Sequence, residues 1–274
     1  MLKNLAALTK WIVAFAALLA IAAFLYTAPP GLFGKADAVG YAICHRIGER
    51  SFHIGERQLP MCARDTGTFT SAAVSLVVLS IIGRKRGGMP VKKTAIVLIL
   101  FFLAWAFDGS NSYLYLIKQT YAGALPQIPN IYTPNNTLRL LTGSGMGMGM
   151  ASVLYPAFNQ TAWKEPDARP ALGTWRDLSL LIAIMLIIDL AVLTESPIAL
   201  YPIAFVSTLG VLMLLTLIFS MVWVMIMKQD NTFDTIREMW LPLTAGFTLA
   251  LIMILGIDLF RLQLTGTWGA FPLG

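Results

Sequence analysis

The amino-acid sequence predicts an all-α, polytopic transmembrane bundle with about seven membrane-spanning helices. Three observations carry that expectation. Apolar residues make up 57% of the chain and charged residues only 12%, about half the charged share of a soluble domain. The apolar residues gather into runs near the roughly 20 residues that cross a hydrocarbon core. Short loops with clustered basic residues separate those runs, as in the cytoplasmic connections of membrane proteins. Residues 1–274 read as one integral membrane domain, with chemistry-bearing motifs in 41–150 and additional helices in 178–262.

The first run spans Trp11 to Tyr26, with Lys3 and Lys10 before it. A basic start and small residues at Thr27-Ala28 also describe a secretory signal peptide, but Pro29 directly after Ala28 is a poor cleavage context, so the segment is expected to stay. The second run is Thr66 to Ile82, the third Thr94 to Ile117 and the fourth Leu138 to Phe158. The fifth is Leu178 to Leu193, the sixth Ile203 to Met227 and the seventh Leu241 to Leu262.

Basic residues set the expected orientation. Placing Arg84, Lys85, Arg86, Lys92 and Lys93 inside also places Lys3, Lys10, Lys164, Arg169, Arg176, Lys228 and Arg237 inside. Lys35, Arg46, Arg50, Arg57, Arg64, Lys118, Arg139 and Arg261 then lie outside or near the outer ends of helices. The expected setting is a prokaryotic cytoplasmic membrane, with the amino terminus inside and the carboxyl terminus outside. The net charge of +6 does not point to nucleic acid, because no aromatic-basic interleaving or groove-reading motif accompanies it. The expected partner is the lipid bilayer.

The loop between the first two runs is the densest polar stretch. It holds Cys44-His45-Arg46, Arg50-Ser51-Phe52-His53 and Pro60-Met61-Cys62-Ala63-Arg64-Asp65-Thr66-Gly67. Cys44, His45 or His53, Cys62 and Asp65 can supply a mixed sulfur, nitrogen and oxygen site suited to a transition metal such as zinc. In an oxidising exoplasm, Cys44 and Cys62 can instead form one structural disulfide, and two inert thiols are the third alternative. Asp65 or Thr66 reads as the amino-terminal cap of the second helix. The dipole of that helix, with Arg50 and Arg64 beside it, favours an anionic group.

A second constellation lies inside the membrane. Asp108, Asp189 and Asp258 each fall past the midpoint of an outward-running helix, so all three belong to the outer half. Carboxylates at bilayer depth face the bundle interior and often carry function. Asp108, Asn111, Ser112 and Tyr115 recur at helical spacing as one polar stripe. Asp258 and Arg261 are three apart and can pair locally. The fourth run carries Asn136, Arg139 and then Thr142-Gly143-Ser144-Gly145-Met146-Gly147-Met148-Gly149. Gly143 with Gly147, and Gly145 with Gly149, have the spacing of close helix contacts in lipid. Such a contact makes Asp108 the expected partner of Arg139.

Together these residues resemble the DUF2085 family of membrane proteins. The resemblance rests on Cys44-His45-Arg46, Arg50-Ser51-Phe52, Gly55, Pro60, Cys62-Ala63-Arg64 and Thr66-Gly67. It continues through Asp108-Gly109, Asn136, Leu138-Arg139 and Thr142-Gly143, covering residues 41–150. It implies a polytopic bundle and brings no established activity with it. Members of the family often carry cysteine where this chain has Asp65; the carboxylate here can still bind a metal.

Three functions are compatible with these features. The leading one is an outer-facing pocket lined by Arg50, Arg64, Asp108, Asn136 and Arg139, handling a small anionic molecule or lipid headgroup as a carrier or lipid-modifying enzyme. A metal- or thiol-dependent enzyme centred on Cys44, His45 and Cys62 is the second. A structural or accessory subunit, with other membrane proteins as partners, is the third. No nucleophile-base set or Walker motif assigns a reaction.

Overall fold

The computed structural model describes residues 2–121 and 125–269, with side chains described from Leu8 onward. The expected outer carboxyl terminus, 270–274, lies outside the described residues, as does the side chain of Lys3. Among the described residues the fold is all-α: α1 (Leu2–Thr27), α2 (Gly31–Ile43), α3 (Ala63–Gly83), α4 (Lys92–Thr120), α5 (Asn136–Ala162), α6 (Trp175–Leu193), α7 (Pro197–Ile226) and α8 (Trp240–Thr265).

Five of these helices, α1, α3, α4, α7 and α8, are long and apolar enough to cross a membrane. The other two expected spans fall on α5 and α6. Glycine, serine and threonine dilute the apolar content of α5, and α6 carries Arg176, Asp177 and Asp189 within 19 residues. Large apolar side chains such as Trp11, Phe15, Ile99, Leu103 and Ile226 are exposed on the outside of the bundle. That is the surface lipid covers.

The loop expected between the first two spans contains a helix that hydropathy did not reveal. α2 is only 13 residues long, below the length that spans a bilayer. Lys35 ties it to the end of α1 by donating to the carbonyls of Leu25 at 2.6 Å and Ala28 at 2.8 Å, satisfying acceptors that a helix end leaves open. Beyond it, β1 (His53–Ile54) and β2 (Arg57–Gln58) form an antiparallel hairpin.

α3 and α5 form the centre and run parallel. A methyl group at Gly67 would collide with the backbone of Leu140, one at Gly143 with that of Arg64, and one at Gly147 with that of Thr68. With no side chain at these positions the two backbones approach closely, the packing that replaces hydrophobic drive between helices in lipid. Gly145 faces Phe101 of α4, whose side chain a methyl group at this position would clash with. Gly149, expected to share this role, has nothing within 4 Å and faces open space instead. α7 joins α3 through Gly210 against Phe69, and α8 joins α7 through Gly246 against Thr216 and Ser220.

The bundle has two rims. The thiol rim collects the ends of α2, α4, α6 and α8 with the starts of α3, α5 and α7. The basic-loop rim carries β3 (Arg86–Gly88) paired in parallel with β4 (Asp167–Pro170). Tyr155 and Asn159 of α5 brace that rim by donating to the Arg84 carbonyl.

Candidate functional site

The thiol rim is framed by ionic and backbone bonds. Arg46, at a left-handed φ of +54°, turns the chain after Cys44. Its guanidinium pairs with Asp37 at 2.9 Å, and Arg57 takes the other oxygen of Asp37 at 2.7 Å. Burial pushes the Asp37 carboxyl up, against the pull of both arginines. Arg261 of α8 donates to the carbonyls of Tyr41 at 2.5 Å and Cys44 at 2.6 Å and stacks over the Tyr41 ring at 3.9 Å. The cysteine loop is therefore clamped between two helices distant in sequence.

Within this frame both cysteines carry free thiols. The sulfurs of Cys44 and Cys62 and a carboxylate oxygen of Asp65 all lie within 4.8 Å of one another. Cys62 donates to Asp65 at 3.2 Å. The buried Cys44 sulfur accepts the N–H groups of Arg46 at 3.4 Å and Cys62 at 3.2 Å. A hydrogen bond with Cys62, and then burial, push the Cys44 thiol well above its ordinary range. That works against a reactive thiolate nucleophile. His45 is exposed and His53 lies in β1; neither belongs to this group. The histidine of the expected ligand set therefore lies apart from the two sulfurs and the carboxylate. The cap of α3 is corrected. Cys62 occupies the N-cap and Asp65 sits in the first turn, because the helix begins three residues earlier than hydropathy indicated.

Next to the thiols lies a cluster of arginines. Arg64 of α3 donates to Asp108 of α4 at 2.5 Å and to the Ser112 hydroxyl at 3.2 Å. The Asp108 side chain is 3% exposed. Its other oxygen accepts the Tyr132 hydroxyl at 2.6 Å, and Thr142 of α5 donates at 3.4 Å. Arg139, expected to pair with Asp108, instead donates to Asn136 at 2.9 Å. The Arg64 guanidinium takes that place beside Gly109, the residue after Asp108 on α4. Asn136 in turn donates to the carbonyls of Glu49 at 3.3 Å and Ser51 at 3.5 Å, which makes it a bridge between α5 and the loop. Arg50 donates to the Ser112 carbonyl at 3.5 Å.

Charge here is not balanced. Arg139 feels the like charges of Arg50 and Arg64, with Asp108 and Cys62 opposing. Burial, and then the charge of Arg64, pull the Arg50 guanidinium below its ordinary range. Arg64 also buries its Nε without an acceptor among the described residues. A buried donor left unmatched costs about 1–3 kcal/mol. Two further cations, Arg50 and Arg139, thus stand near the Arg64–Asp108 ion pair.

The polar stripe of α4 behaves as its spacing implies. Asp108, Asn111 and Ser112 are buried, and Asn111 holds the loop before α5 through Tyr132 and Ile131 at 2.9 and 3.0 Å. The other two aspartates do not join this cluster. Asp189 accepts from Ser144 at 2.8 Å. Asp258 is 1% exposed, and neither of its oxygens has a hydrogen-bond partner among the described residues. The local pair with Arg261 is replaced by the carbonyl bonds of that arginine. Tyr132 and Asp37 escaped sequence reading. Tyr132 sits in a loop with no periodicity, and only the acidic residue at a short helix marks Asp37.

The family described as predicted membrane protein (DUF2085) matches residues 44–153. That stretch holds Cys44, Arg50, Cys62, Arg64, Asp65, Asp108, Tyr132, Asn136 and Arg139, and excludes Asp189 and Asp258. An uncharacterized protein of Methanothermobacter thermautotrophicus is 30% identical over 109 residues, which is 40% of this chain and 81% of that relative. No solved structure matches the chain. With four-fifths of that relative covered and the whole thiol-arginine cluster inside the matched stretch, the chain belongs to the DUF2085 family of membrane proteins.

Proposed function

We propose that this protein binds the anionic headgroup of a membrane lipid at the arginine cluster of the thiol rim. The carrying observation is the gathering of three guanidiniums, those of Arg50, Arg64 and Arg139, around one ion pair, Arg64–Asp108. A phosphate or carboxylate group seated there relieves the repulsion among the guanidiniums and supplies acceptors in the bidentate geometry that arginine prefers. The first turn of α3 adds the positive end of its dipole.

An apolar groove supports a lipid over a free anion. It lies between α4 and α5, has a volume of about 470 Å³, and runs from Met89 and Pro90 at the basic-loop end past Leu98, Phe102 and Gly149 to Met146. Met146 is one turn along α5 from Thr142, which touches Asp108. A lipid whose headgroup sits at the arginines enters this groove from its Met146 end. Gly149 keeps the groove open by carrying no side chain.

In this reading α5 and α6 also cross the membrane, giving seven spans, and the thiol rim faces outward with the amino terminus inside. Carrying a lipid between leaflets and modifying its headgroup are the two uses such a site serves.

Native mass spectrometry of the full chain released from nanodiscs tests the proposal. Phosphatidylglycerol should stay bound in preference to phosphatidylcholine, and Arg50→Gln should lower its retention by about tenfold, the loss of one charge-assisted contact. Gly149→Leu should weaken the long-chain lipid while leaving a short-chain analogue unaffected. Equal retention of both lipids by the wild type would remove the proposal.

A further inference from the structure

We infer that Cys44, Cys62 and Asp65 form a binding site for a zinc-class divalent metal ion, distinct from the lipid reading and not dependent on it. Donor geometry comes first. Ligand atoms around one tetrahedral zinc are separated by about 3.5–3.8 Å, given metal bonds of roughly 2.0–2.3 Å. The three donor atoms already lie within 4.8 Å of one another, and the Cys62–Asp65 pair is at 3.2 Å. Closing on an ion takes a side-chain adjustment of about 1 Å, with no movement of a helix.

The surroundings are those of a metal thiolate. The Cys44 sulfur is buried and receives two backbone N–H groups, from Arg46 and Cys62. Hydrogen bonds aimed at a ligating sulfur are the outer-shell support such sites use. Cys62 is the N-cap of α3, where the helix dipole favours a negative sulfur. Arg50 and Arg139 stand near enough to Cys62 to interact with it electrostatically. Two thiolates and a carboxylate around a divalent ion leave one net negative charge, which those cations offset.

Binding displaces the two thiol protons to solvent and forms two metal–sulfur bonds and one metal–oxygen bond, with no change of oxidation state. Two sulfurs select a soft or borderline ion over calcium or magnesium. Three protein donors leave the fourth tetrahedral position for water or an exogenous ligand. The exposed His45 takes no part.

Cobalt(II) titration of reduced, metal-stripped, full-length protein in detergent is the test. The expected result is near-ultraviolet sulfur-to-cobalt charge transfer saturating at about one ion per chain and abolished by added zinc. Cys44→Ser and Cys62→Ser should each lose that absorption. Asp65→Cys should keep it and intensify it, and this gain cannot come from a misfolded protein. His45→Ala should bind as the wild type does. Wild-type protein that is folded, has two titratable thiols and shows no charge transfer would overturn the site. So would a Cys44–Cys62 disulfide found in protein purified without oxidant, or absorption that survives both serine variants.

Discussion

The two rims of this bundle both carry arginine and lysine, yet they use charge in opposite ways. At the basic-loop rim Lys85, Lys164 and Arg169 each meet an acceptor of their own. Lys85 lies over the Trp163 ring at 4.3 Å and donates to the Asp234 carbonyl at 2.7 Å. Arg169 grips Asp167 at 2.6 Å, and its hydrogen bonds hold that exposed carboxyl down at about 2. These groups are solvated, so screening leaves them little energetic weight. At the thiol rim Arg50, Arg64 and Arg139 are half-buried or buried, and Arg64 alone is paired with Asp108. The number of positive charges therefore says little about function; whether each one is compensated, and how dry its surroundings are, says much more.

Removing the central carboxylate should have the largest effect. Asp108→Ala leaves Arg64 uncompensated inside the bundle and should cost about 3–5 kcal/mol, read as a lowered midpoint in thermal unfolding in detergent. Asp167→Ala at the other rim should leave that midpoint unchanged. A similar loss from both variants would erase the distinction between the rims.

A second pair of variants tests the seam that brings the arginines together. Gly147→Ala puts a methyl group against the Thr68 backbone and should cost about 1–3 kcal/mol as α3 and α5 are forced apart. Gly149→Ala meets nothing within 4 Å and should be neutral or stabilising by up to about 1 kcal/mol.

A smaller effect, about 1 kcal/mol, is expected for Tyr132→Phe, which removes the phenol from Asp108. Burial first, and then the bond to Asp108, push the Tyr132 phenol up to about 12, against an ordinary value of about 10. A proton held more tightly in the folded protein stabilises it below pH ~10, and that share is lost as pH rises toward 12. The phenylalanine variant should lack this alkaline segment of the stability profile. The smallest effect belongs to Lys85→Ala, about 0.5–1 kcal/mol for a partly solvated cation over an indole ring. A larger loss there would mean that the basic-loop rim is built more like the thiol rim.

Much of the bundle was legible before its structure. The helices came from hydropathy, and most ends agree within a few residues. The start of α7 at Pro197 precedes the expected Ile203, since polar Ser196 and Tyr201 hide the first turn. α2 was missed because a short, glycine-rich helix that lies across a rim lacks the continuous apolar run of a span. The polar stripe of α4 was visible because helical spacing is local. The partner of Asp108 was not, since Arg64 and Arg139 are both positive and both near it, and only the depth of helix approach separates them.

Composition and periodicity alone determined the membrane class, the positions of most helices and the stretch that holds the unusual chemistry. Those properties sum over neighbouring residues, because the cost of moving a side chain or a peptide group out of water depends on that group and on its own helix. Tertiary structure decided that Arg64 meets Asp108, that His45 lies apart from the cysteines, and that Asp65 joins them. These outcomes depend on a parallel seam of glycines and on one left-handed turn at Arg46. They position atoms to within an ångström or two, the scale on which hydrogen bonds and ion pairs are won or lost.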